Sequence, residues 1–189
     1  MMSIINYCIG MSVLLLLIIA CSPAGTEDIV VSVTPEQVVE QLRESYVEQN
    51  ISDYSDCFAD SFMFVLHELD WEWNPHDPDS CWFLSTELAY SEDLLLNAQG
   101  ISLDLECTPT YIWPDDSTAL GMNCPFDLEV YVDSAHTMGY RAAGDAVFRF
   151  IEVSDDVWMI DYWKDESDMS GTKEASTWGL VKTTYTVDL

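Results

Sequence analysis

The sequence predicts an α+β fold in which three helices precede an antiparallel sheet. Between about residues 34 and 100, apolar residues recur at intervals of three or four, which is the spacing of one helix face. Beyond about residue 100, apolar and polar residues alternate, as they do along a half-buried strand. A helical period followed by a strand period is typical of an α+β domain.

The predicted helices begin at recognisable capping residues. Residues 34–37, Thr-Pro-Glu-Gln, combine a capping threonine, a proline in the first turn and a glutamine at the third helical position. The buried face of this first helix consists of Val38, Leu42 and Tyr46. Asn50 is expected to end it, and Ser52 to cap a second, short helix. Ser85 is expected to cap a third helix that stops at Gly100.

The strands are predicted from alternating or continuous apolar runs. They cover residues 62–67, 101–107, 120–132, 140–153 and 157–163. A long loop, residues 68–83, separates the first strand from the third helix. A turn at residues 113–117 joins the second and third strands into a hairpin, and pairing outward from it places Cys107 near Cys124 on the apolar face.

The N-terminal segment predicts export and lipid anchoring. Residues 4–20 are almost wholly apolar, and polar, turn-prone residues follow them. Residues 18–21, Ile-Ile-Ala-Cys, resemble the bacterial lipobox. This resemblance implies that residues 1–20 are cleaved as a signal peptide and that Cys21 carries the lipid. Ser22, directly after the cysteine, resembles lipoproteins that are sent to the outer membrane of didermal bacteria.

The alternative for the same segment is an uncleaved membrane anchor, since about 17 apolar residues can just span a bilayer. In both cases residues 21–33 are expected to form a tether. A single domain, residues 34–189, then follows, and its length suits one sizeable core.

Charge excludes several classes of partner. The chain carries 34 acidic and 6 basic residues, a formal net charge of −28. Nucleic-acid binding is excluded because it requires clustered lysine and arginine, and direct adhesion to anionic lipid headgroups is disfavoured. The acids are spread through the chain, which favours a solvated acidic surface over a cation-binding one. A monomer is expected, because two sheet faces with this charge would repel each other; the acids concerned are Asp104, Glu106, Asp127 and Glu129.

Four cysteines remain in the domain, and an even number in an exported protein permits two disulfides. They are Cys57, Cys81, Cys107 and Cys124. Cys107 and Cys124 form either a cross-strand disulfide or a pair of packed thiols. A second bridge would join Cys57 and Cys81 by elimination. No metal or other cofactor is expected, because the sequence has no CxxC, HxxxH, calcium-loop or glycine-rich phosphate-loop spacing.

Several short features, taken in order, carry a resemblance to a known family. They are Tyr46, Asn50, Asp53-Tyr54, residues 57–64 (CFADSFMF), residues 158–165 (WMIDYWKD) and residues 177–182 (TWGLVK). Their order makes the chain resemble the nuclear transport factor 2-like (SnoaL-like) superfamily, and the last of them resembles the end of uncharacterised bacterial lipoproteins within it. The resemblance implies a cone-like, curved antiparallel sheet packed against the three helices, with a pocket between sheet and helices.

The resemblance also implies candidate site residues, because similar enzymes use a pocket aspartate with a tyrosine, or a histidine with an aspartate, to move protons. Asp161 in an apolar strand and His67 at a strand end are the catalytic candidates. Burial would raise the pKa of Asp161, and the alternative for both residues is an ordinary place on a strand. The candidate ligand-binding residues are Phe64, Trp82, Tyr90, Tyr131 and Trp163.

Three functions are consistent with these features. The favoured one is a lipid-anchored, non-catalytic binding domain whose aromatic pocket holds a small apolar ligand or whose surface holds a protein partner. The second is a small isomerase or dehydratase that uses Asp161 or His67. The third is a structural envelope protein whose cone is filled by its own side chains. Trp71 and Trp73, which alternate with acids in the long loop, are expected to cover the pocket mouth or to contact a partner.

Overall fold

The computed structural model describes residues 33–70, 80–168 and 175–187. The helices among these residues are α1 (Pro35–Val47), α2 (Ile51–Ser55), α3 (Leu84–Asn97) and α4 (Trp178–Val187). The strands are β1 (Phe58–Val65), β2 (Cys81–Phe83), β3 (Gly100–Leu105), β4 (Tyr111–Trp113), β5 (Asp116–Tyr131), β6 (Gly139–Ser154), β7 (Val157–Ser167) and β8 (Ala175–Ser176). The α+β fold class is therefore confirmed.

The described strands form one sheet in the order β2-β1-β7-β6-β5-β3, with β4 paired to β5 and β8 paired to β6. The β1–β7 and β6–β8 ladders are parallel, whereas the other ladders are antiparallel. The prediction of an antiparallel sheet is wrong for these two ladders, so the sheet is mixed. Parallel neighbours need a long connection, and the chain between β1 and β7 supplies one through α3 and the intervening strands. β2, on the edge beside β1, lies within the predicted loop of residues 68–83.

The first two helices begin at side-chain caps. The backbone N–H of Gln37 donates to the hydroxyl of Thr34 at 3.4 Å, and the backbone N–H of Thr34 donates to the Gln37 side chain at 2.8 Å. This is the predicted capping box. Asn50, rather than Ser52, caps α2, because its Oδ1 accepts hydrogen bonds from the backbone N–H groups of Ser52 and Asp53.

The third helix starts and ends earlier than predicted. It begins at Leu84, and Phe83 at the cap position makes no side-chain capping hydrogen bond. Ser85 lies inside the first turn, because β2 pairs with β1 as far as Phe83 and leads directly into the helix. The helix ends at Asn97, ahead of Gly100, since Gly100 already pairs with Tyr131 of β5.

The predicted hairpin register is confirmed. Ile101 pairs with Val130 and Leu105 with Phe126 across β3 and β5. The same register continues to Cys107 and Cys124, which are joined by a disulfide. β5 is longer than predicted, because β4 pairs with its first half and β3 with its second half.

The C-terminal helix α4 was not predicted from the sequence. Its residues, WGLVKTTYTV, are rich in β-branched types, which favour strands. In the folded chain α4 packs against α3, β6 and β7, and these tertiary contacts outweigh the local preference. The hydroxyl of Thr177 accepts a hydrogen bond from the backbone N–H of Leu180 at 3.0 Å and so caps the first turn.

The core lies between the inner face of the sheet and the helices, in a space that we call the cone interior. Its largest fully buried side chains are Trp163, Trp178, Tyr46, Tyr54, Phe62, Phe64, Phe148, Phe150, Lys182, Leu42, Leu94 and Leu95. One of these twelve is a lysine, although lysine is almost never fully buried unless it is paired. The position of Lys182 therefore decides what the cone interior contains.

Candidate functional site

A buried carboxylate, Glu87, organises the centre of the cone interior. Its Oε1 accepts hydrogen bonds from the ammonium of Lys182 at 2.6 Å and from the hydroxyl of Ser91 at 3.0 Å. Its Oε2 accepts a hydrogen bond from Trp82 Nε1 at 2.6 Å, and the Tyr54 hydroxyl donates a further hydrogen bond to Oε1. Glu87 and Lys182 both have 0% exposed surface. This carboxylate is therefore paired and hydrogen-bonded, as a buried charge has to be.

Aromatic rings enclose the ammonium group of Lys182. Its Nζ lies 4.0 Å from the ring centroid of Trp163, 4.3 Å from that of Phe64 and 5.9 Å from that of Trp178. Each distance is within the range of a cation–π interaction. Burial lowers the pKa of Lys182, and the charge of Glu87 opposes that effect.

Trp178 and Tyr46 extend this polar centre towards α1. The indole N–H of Trp178 donates to the Tyr46 hydroxyl at 3.0 Å. Burial raises the pKa of Tyr46, and burial likewise raises that of Tyr54, so both phenols are neutral donors or acceptors. The Nε1 of Trp163 is buried without a hydrogen-bond partner in the described part of the chain.

Acidic side chains hold the N-terminus of α4. Asp165 accepts hydrogen bonds from the backbone N–H of Gly179 at 2.8 Å and of Ser167 at 3.0 Å. Asp70 accepts a hydrogen bond from the Thr177 hydroxyl. Side-chain oxygens are favourable at a helix N-terminus because they accept from N–H groups that have no partner within the helix. These contacts fix where α4 enters the cone interior and hence where Lys182 lies.

His67 lies in a surface cleft beside the same acidic residues. The cleft has a volume of about 420 Å³ and is lined by Val65, Leu66, His67, Glu68, Lys164, Asp165 and Glu166. Burial raises the pKa of Asp165 and of Asp70, while His67 has a smaller effect in the opposite direction on both. The cleft therefore contains an imidazole beside a buried carboxyl group whose affinity for a proton is increased.

Asp161 is buried, with 5% of its surface exposed, but it does not face the cone interior. Its two oxygens accept hydrogen bonds from Arg149 at 2.9 and 2.7 Å. Arg149 alternates along β6 with Phe148 and Phe150, which are fully buried in the core, so it lies on the outer face of the sheet. The hydrogen bonds to Asp161 raise the pKa of Arg149. The catalytic role of Asp161 stays a prediction, and its observed partner is structural.

A bulge in β7 explains this direction. Arg149 pairs with Tyr162 and Phe150 pairs with Ile160, so Asp161 is the extra residue between two aligned pairs. The guanidinium of Arg149 also lies 5.7 Å from the ring centroids of both Trp113 and Tyr162. Alternation along the strand could not show that a bulge redirects the aspartate.

The candidate ligand-binding residues do not line one common space. Phe64, Trp82 and Trp163 are buried at the centre, where Phe64 stacks on Trp82 with centroids 4.6 Å apart. Tyr90 is partly buried and lies edge-on to Trp82 at 5.3 Å. Tyr131 is elsewhere: its ring stacks on that of His136 at 4.4 Å. Three of the five predicted residues therefore belong to the centre, whereas its ionic pair was not predicted.

The four cysteines of the domain form one of the two expected disulfides. Cys107 and Cys124 are joined by a disulfide. Cys57 and Cys81 are buried and are not joined by a disulfide, so the second bridge expected by elimination is not formed. Cys57 follows α2 and its sulfur approaches the backbone carbonyl of Val38, whereas Cys81 begins β2 opposite Val65. Burial raises the pKa of Cys57 to about 12.

Glu87, Ser91 and Lys182 were not identified as site residues from the sequence. A signal for Glu87 was present, because it occupies the buried stripe of α3 with Ser91 and Leu94. An acid within an apolar stripe indicates a buried partner. No local signal identified Lys182 as that partner, since it lies 95 residues away in an unpredicted helix.

Trp71 and Trp73 lie outside the described residues, as do the other residues from 71 to 79 in the predicted loop. Within residues 33–70, 80–168 and 175–187, no group of three or more His, Cys, Asp or Glu side chains is arranged to hold a metal ion. In the same ranges, no helix is both long and apolar enough to cross a membrane.

Comparison with known proteins gives matches at the level of structure. No protein-family model matches the sequence, and no curated protein matches it. A conserved protein from Planctomyces limnophilus has a TM-score of 0.54 and 13% identity, covering 68% of this chain and 89% of that one. A proposed scytalone dehydratase from Novosphingobium aromaticivorans has a TM-score of 0.54 and 10% identity, covering 76% and 90%. A hexachlorocyclohexane dehydrochlorinase, LinA type 2, has a TM-score of 0.51 and 6% identity, covering 70% and 82%.

At these identities the likeness concerns the fold and leaves the activity open. The curved sheet, the helices on its inner face and the order of elements agree with the family that the sequence motifs resemble. The chain has the nuclear transport factor 2-like fold.

Proposed function

We propose that this chain is a lipid-anchored, non-catalytic structural domain of the cell envelope whose cone is filled by its own C-terminal helix. One observation carries the proposal: α4 places Lys182 beside Glu87 at the centre of the cone interior, and neither side chain is exposed. The family resemblance implies a pocket in this region, between the sheet and the helices. The chain's own side chains occupy it here.

The filled cone favours this function over a pocket for a small apolar ligand. Phe64 and Trp163 would be suitable walls for such a ligand, but their faces already contact the ammonium of Lys182. An apolar ligand at this place would have to displace Lys182 and leave Glu87 without its counter-charge. Leaving a buried charge unpaired costs about 3–5 kcal/mol.

Native mass spectrometry of the protein purified from its own host's envelope tests the filled cone. We expect a mass that equals the processed chain with its lipid, before and after denaturation. A stoichiometric additional mass that is present in the native spectrum and leaves on denaturation would contradict the proposal and would identify the ligand class.

The anchor is tested separately. Cells that express the full chain are fed an alkynyl fatty acid, and the labelled protein is followed in membrane and soluble fractions. We expect label on the natural chain and on Cys8→Ser, and loss of label for Cys21→Ser, whose uncleaved apolar segment can still hold it in the membrane fraction. Label on Cys21→Ser would disprove lipidation at Cys21, and an unlabelled natural chain that keeps residues 1–20 in the membrane fraction would favour the uncleaved anchor.

A second candidate function is proton-transfer catalysis in the surface cleft of His67. The specific observation is that His67 and Asp165 line the same cleft of about 420 Å³ and that burial raises the pKa of Asp165. A carboxyl group with a raised pKa beside an imidazole is suited to general acid–base chemistry. This candidate retains His67, which was predicted as a catalytic residue, and assigns the carboxyl group to Asp165 instead of Asp161.

Deuterium exchange from solvent into a panel of small enolisable ketones tests this candidate. Catalysis at the cleft predicts exchange by the natural chain and by His136→Gln, whose histidine stacks on Tyr131. It predicts loss of exchange for His67→Gln. No exchange by the natural chain, or equal exchange by both variants, would count against catalysis of this kind.

A further inference from the structure

The residues around the Lys182 ammonium have the composition of an ammonium-binding site. One carboxylate, Glu87, supplies the counter-charge, and the rings of Trp163 and Phe64 lie 4.0 and 4.3 Å from the nitrogen. A carboxylate together with aromatic faces is the set of groups that recognises an alkylammonium ion in a water-poor space. Glu87, Phe64 and Trp163 are each fully buried.

The walls of this site belong mainly to elements other than α4. Tyr54 comes from α2, Phe64 from β1, Trp82 from β2, Glu87 and Ser91 from α3, and Trp163 from β7. From α4 come the ammonium itself and the more distant ring of Trp178. The carboxylate is also oriented by neutral donors that do not depend on α4. The site is therefore organised by the sheet and by the preceding helices.

We infer that the centre of the cone interior is a binding chamber for a primary alkylammonium group, and that Lys182 is its ligand, tethered within the same chain. This inference rests on the filled cone of the proposed function and adds the chemical class that the chamber selects. Glu87 provides charge selection and one short hydrogen bond of 2.6 Å. Trp163 and Phe64 provide ring faces for the remainder of the cation.

The geometry favours a primary ammonium over a quaternary one. The nitrogen lies 2.6 Å from Glu87 Oε1, which is a hydrogen-bond distance. A quaternary ammonium has no N–H to donate, and its methyl groups would hold the nitrogen farther from the carboxylate. The ligand class is therefore a primary amine on a short apolar stem, as in the lysine side chain itself.

Chemical rescue of Lys182→Ala in the full chain tests the inference. The substitution removes the atoms beyond Cβ, and n-propylammonium has the same three carbons and nitrogen. We expect n-propylammonium to raise the unfolding temperature of Lys182→Ala in a saturable way. Half-saturation is expected at roughly millimolar concentration, because so small a ligand makes few contacts. Sodium chloride at the same ionic strength and neutral n-propanol should produce no comparable rise.

Two variants provide matched controls. Lys182→Met fills the chamber with a neutral stem of similar size, so it should not respond to n-propylammonium beyond the salt effect. The double variant Lys182→Ala, Glu87→Gln keeps the space but lacks the counter-charge, so its preference for n-propylammonium over n-propanol should disappear. The inference would be overturned if n-propylammonium and n-propanol stabilised Lys182→Ala equally. It would also be overturned if n-propylammonium stabilised Lys182→Met as much as Lys182→Ala.

If Lys182→Ala does not fold alone, the measurement becomes its refolding yield from denaturant with each compound present. A greater recovery with n-propylammonium than with n-propanol supports the chamber, and equal or absent recovery overturns it. This result is independent of the native mass of the natural chain. A ligand in the natural chain would disprove the filled cone, whereas failure of rescue would disprove only the chemistry assigned to the chamber.

Discussion

At the residue scale, the Lys182–Glu87 pair has a large expected effect on stability. Both side chains are withdrawn from water, so each depends on the other and on neighbouring donors. Removing one partner of a buried pair costs about 3–5 kcal/mol, whereas replacing both partners can be nearly neutral. The two partners therefore have to be tested together as well as singly.

Lys182→Met is expected to lower the free energy of unfolding by about 3–5 kcal/mol, because the Glu87 carboxylate keeps only neutral donors. Adding Glu87→Gln to this variant should restore part of the loss, since the neutral amide leaves no unpaired charge, its oxygen can accept from Trp82 Nε1 and its N–H can donate to the Tyr54 hydroxyl. Urea unfolding of the natural chain, both single variants and the double variant measures the coupling. Additive losses in the double variant would show that the two side chains are not coupled.

Asp70 gives a prediction for pH. Burial raises its pKa above the ordinary value of 3.8, so the folded state holds the proton more tightly than the unfolded state. The favourable contribution of this group is complete below the ordinary pKa and is lost as pH rises through the raised pKa. Asp70→Asn removes this titration and keeps an acceptor for Thr177.

The measurement is the difference in unfolding free energy between the natural chain and Asp70→Asn from pH 7 down to about 4. We expect the natural chain to gain stability relative to the variant as pH falls through this range. Asp60→Asn, at an exposed position of β1, is the matched control for the loss of one carboxylate. A difference that moves in the opposite direction would show that Asp70 is stabilised as a carboxylate.

At the element scale, the disulfide fastens β3 to β5 beyond the end of β3. Cys107 and Cys124 are separated by 17 residues in sequence, and closing a loop of this size stabilises the folded chain by about 3 kcal/mol. The register of the hairpin placed these two cysteines opposite each other. Whether they are bonded could not be decided from the pairing alone.

Replacing both cysteines, Cys107→Ala with Cys124→Ala, should lower the free energy of unfolding by about 3 kcal/mol. The natural chain with a reductant should fall to a similar value, and the double variant should not respond to reductant. Urea unfolding with and without reductant makes both comparisons. A double variant as stable as the oxidised natural chain would contradict the expected contribution of the bridge.

At the element scale, local sequence signals located the first three helices but gave the wrong cap for two of them. The Thr34 capping box was predicted correctly because it is complete within four residues of sequence. Ser52 and Ser85 were wrongly chosen as caps because neighbours set the true ends: Asn50 for α2 and the edge strand β2 for α3. α4 was missed because its β-branched residues favour a strand.

At the scale of the whole molecule, negative charge is the dominant feature. The basic residues that the structure describes each pair with an acid, and they are Arg43, Arg141, Arg149, Lys164 and Lys182. With 34 acids against 6 bases, most of the acidic charge has no basic counterpart. The monomeric state stays a prediction. It was expected from repulsion between acidic sheet faces, and the Arg141 guanidinium beside Asp127 and Glu129 reduces the negative charge on that face.

Sodium chloride should therefore stabilise the folded chain at neutral pH, because it screens repulsion among the acids. Between low salt and about 0.5 M we expect the unfolding temperature to rise by about 2–4 °C, which corresponds to about 1 kcal/mol for a domain of this size. Near pH 4.1, the isoelectric point of the sequence, the rise should disappear. A similar rise at both pH values would indicate a cause other than net charge.

Sequence patterns are sufficient to predict the α+β class, the first helix with its cap, the register of the β3–β5 hairpin and the acidic surface. Each of these depends on periodicity, on turn residues or on composition, which act over short stretches of chain. Repetition along a segment is enough to predict them, whatever the rest of the chain does.

What occupies the cone interior depends on long-range packing. The parallel pairing of β1 with β7 and the contact of Glu87 with Lys182 join residues that are distant in sequence. The bulge that directs Asp161 to Arg149 depends on the register with the neighbouring strand. Such contacts are set by how the whole domain packs, and no local pattern encodes them. The identity of the side chain at the centre therefore followed from packing, although the Glu87 that receives it was already visible as an acid in an apolar stripe.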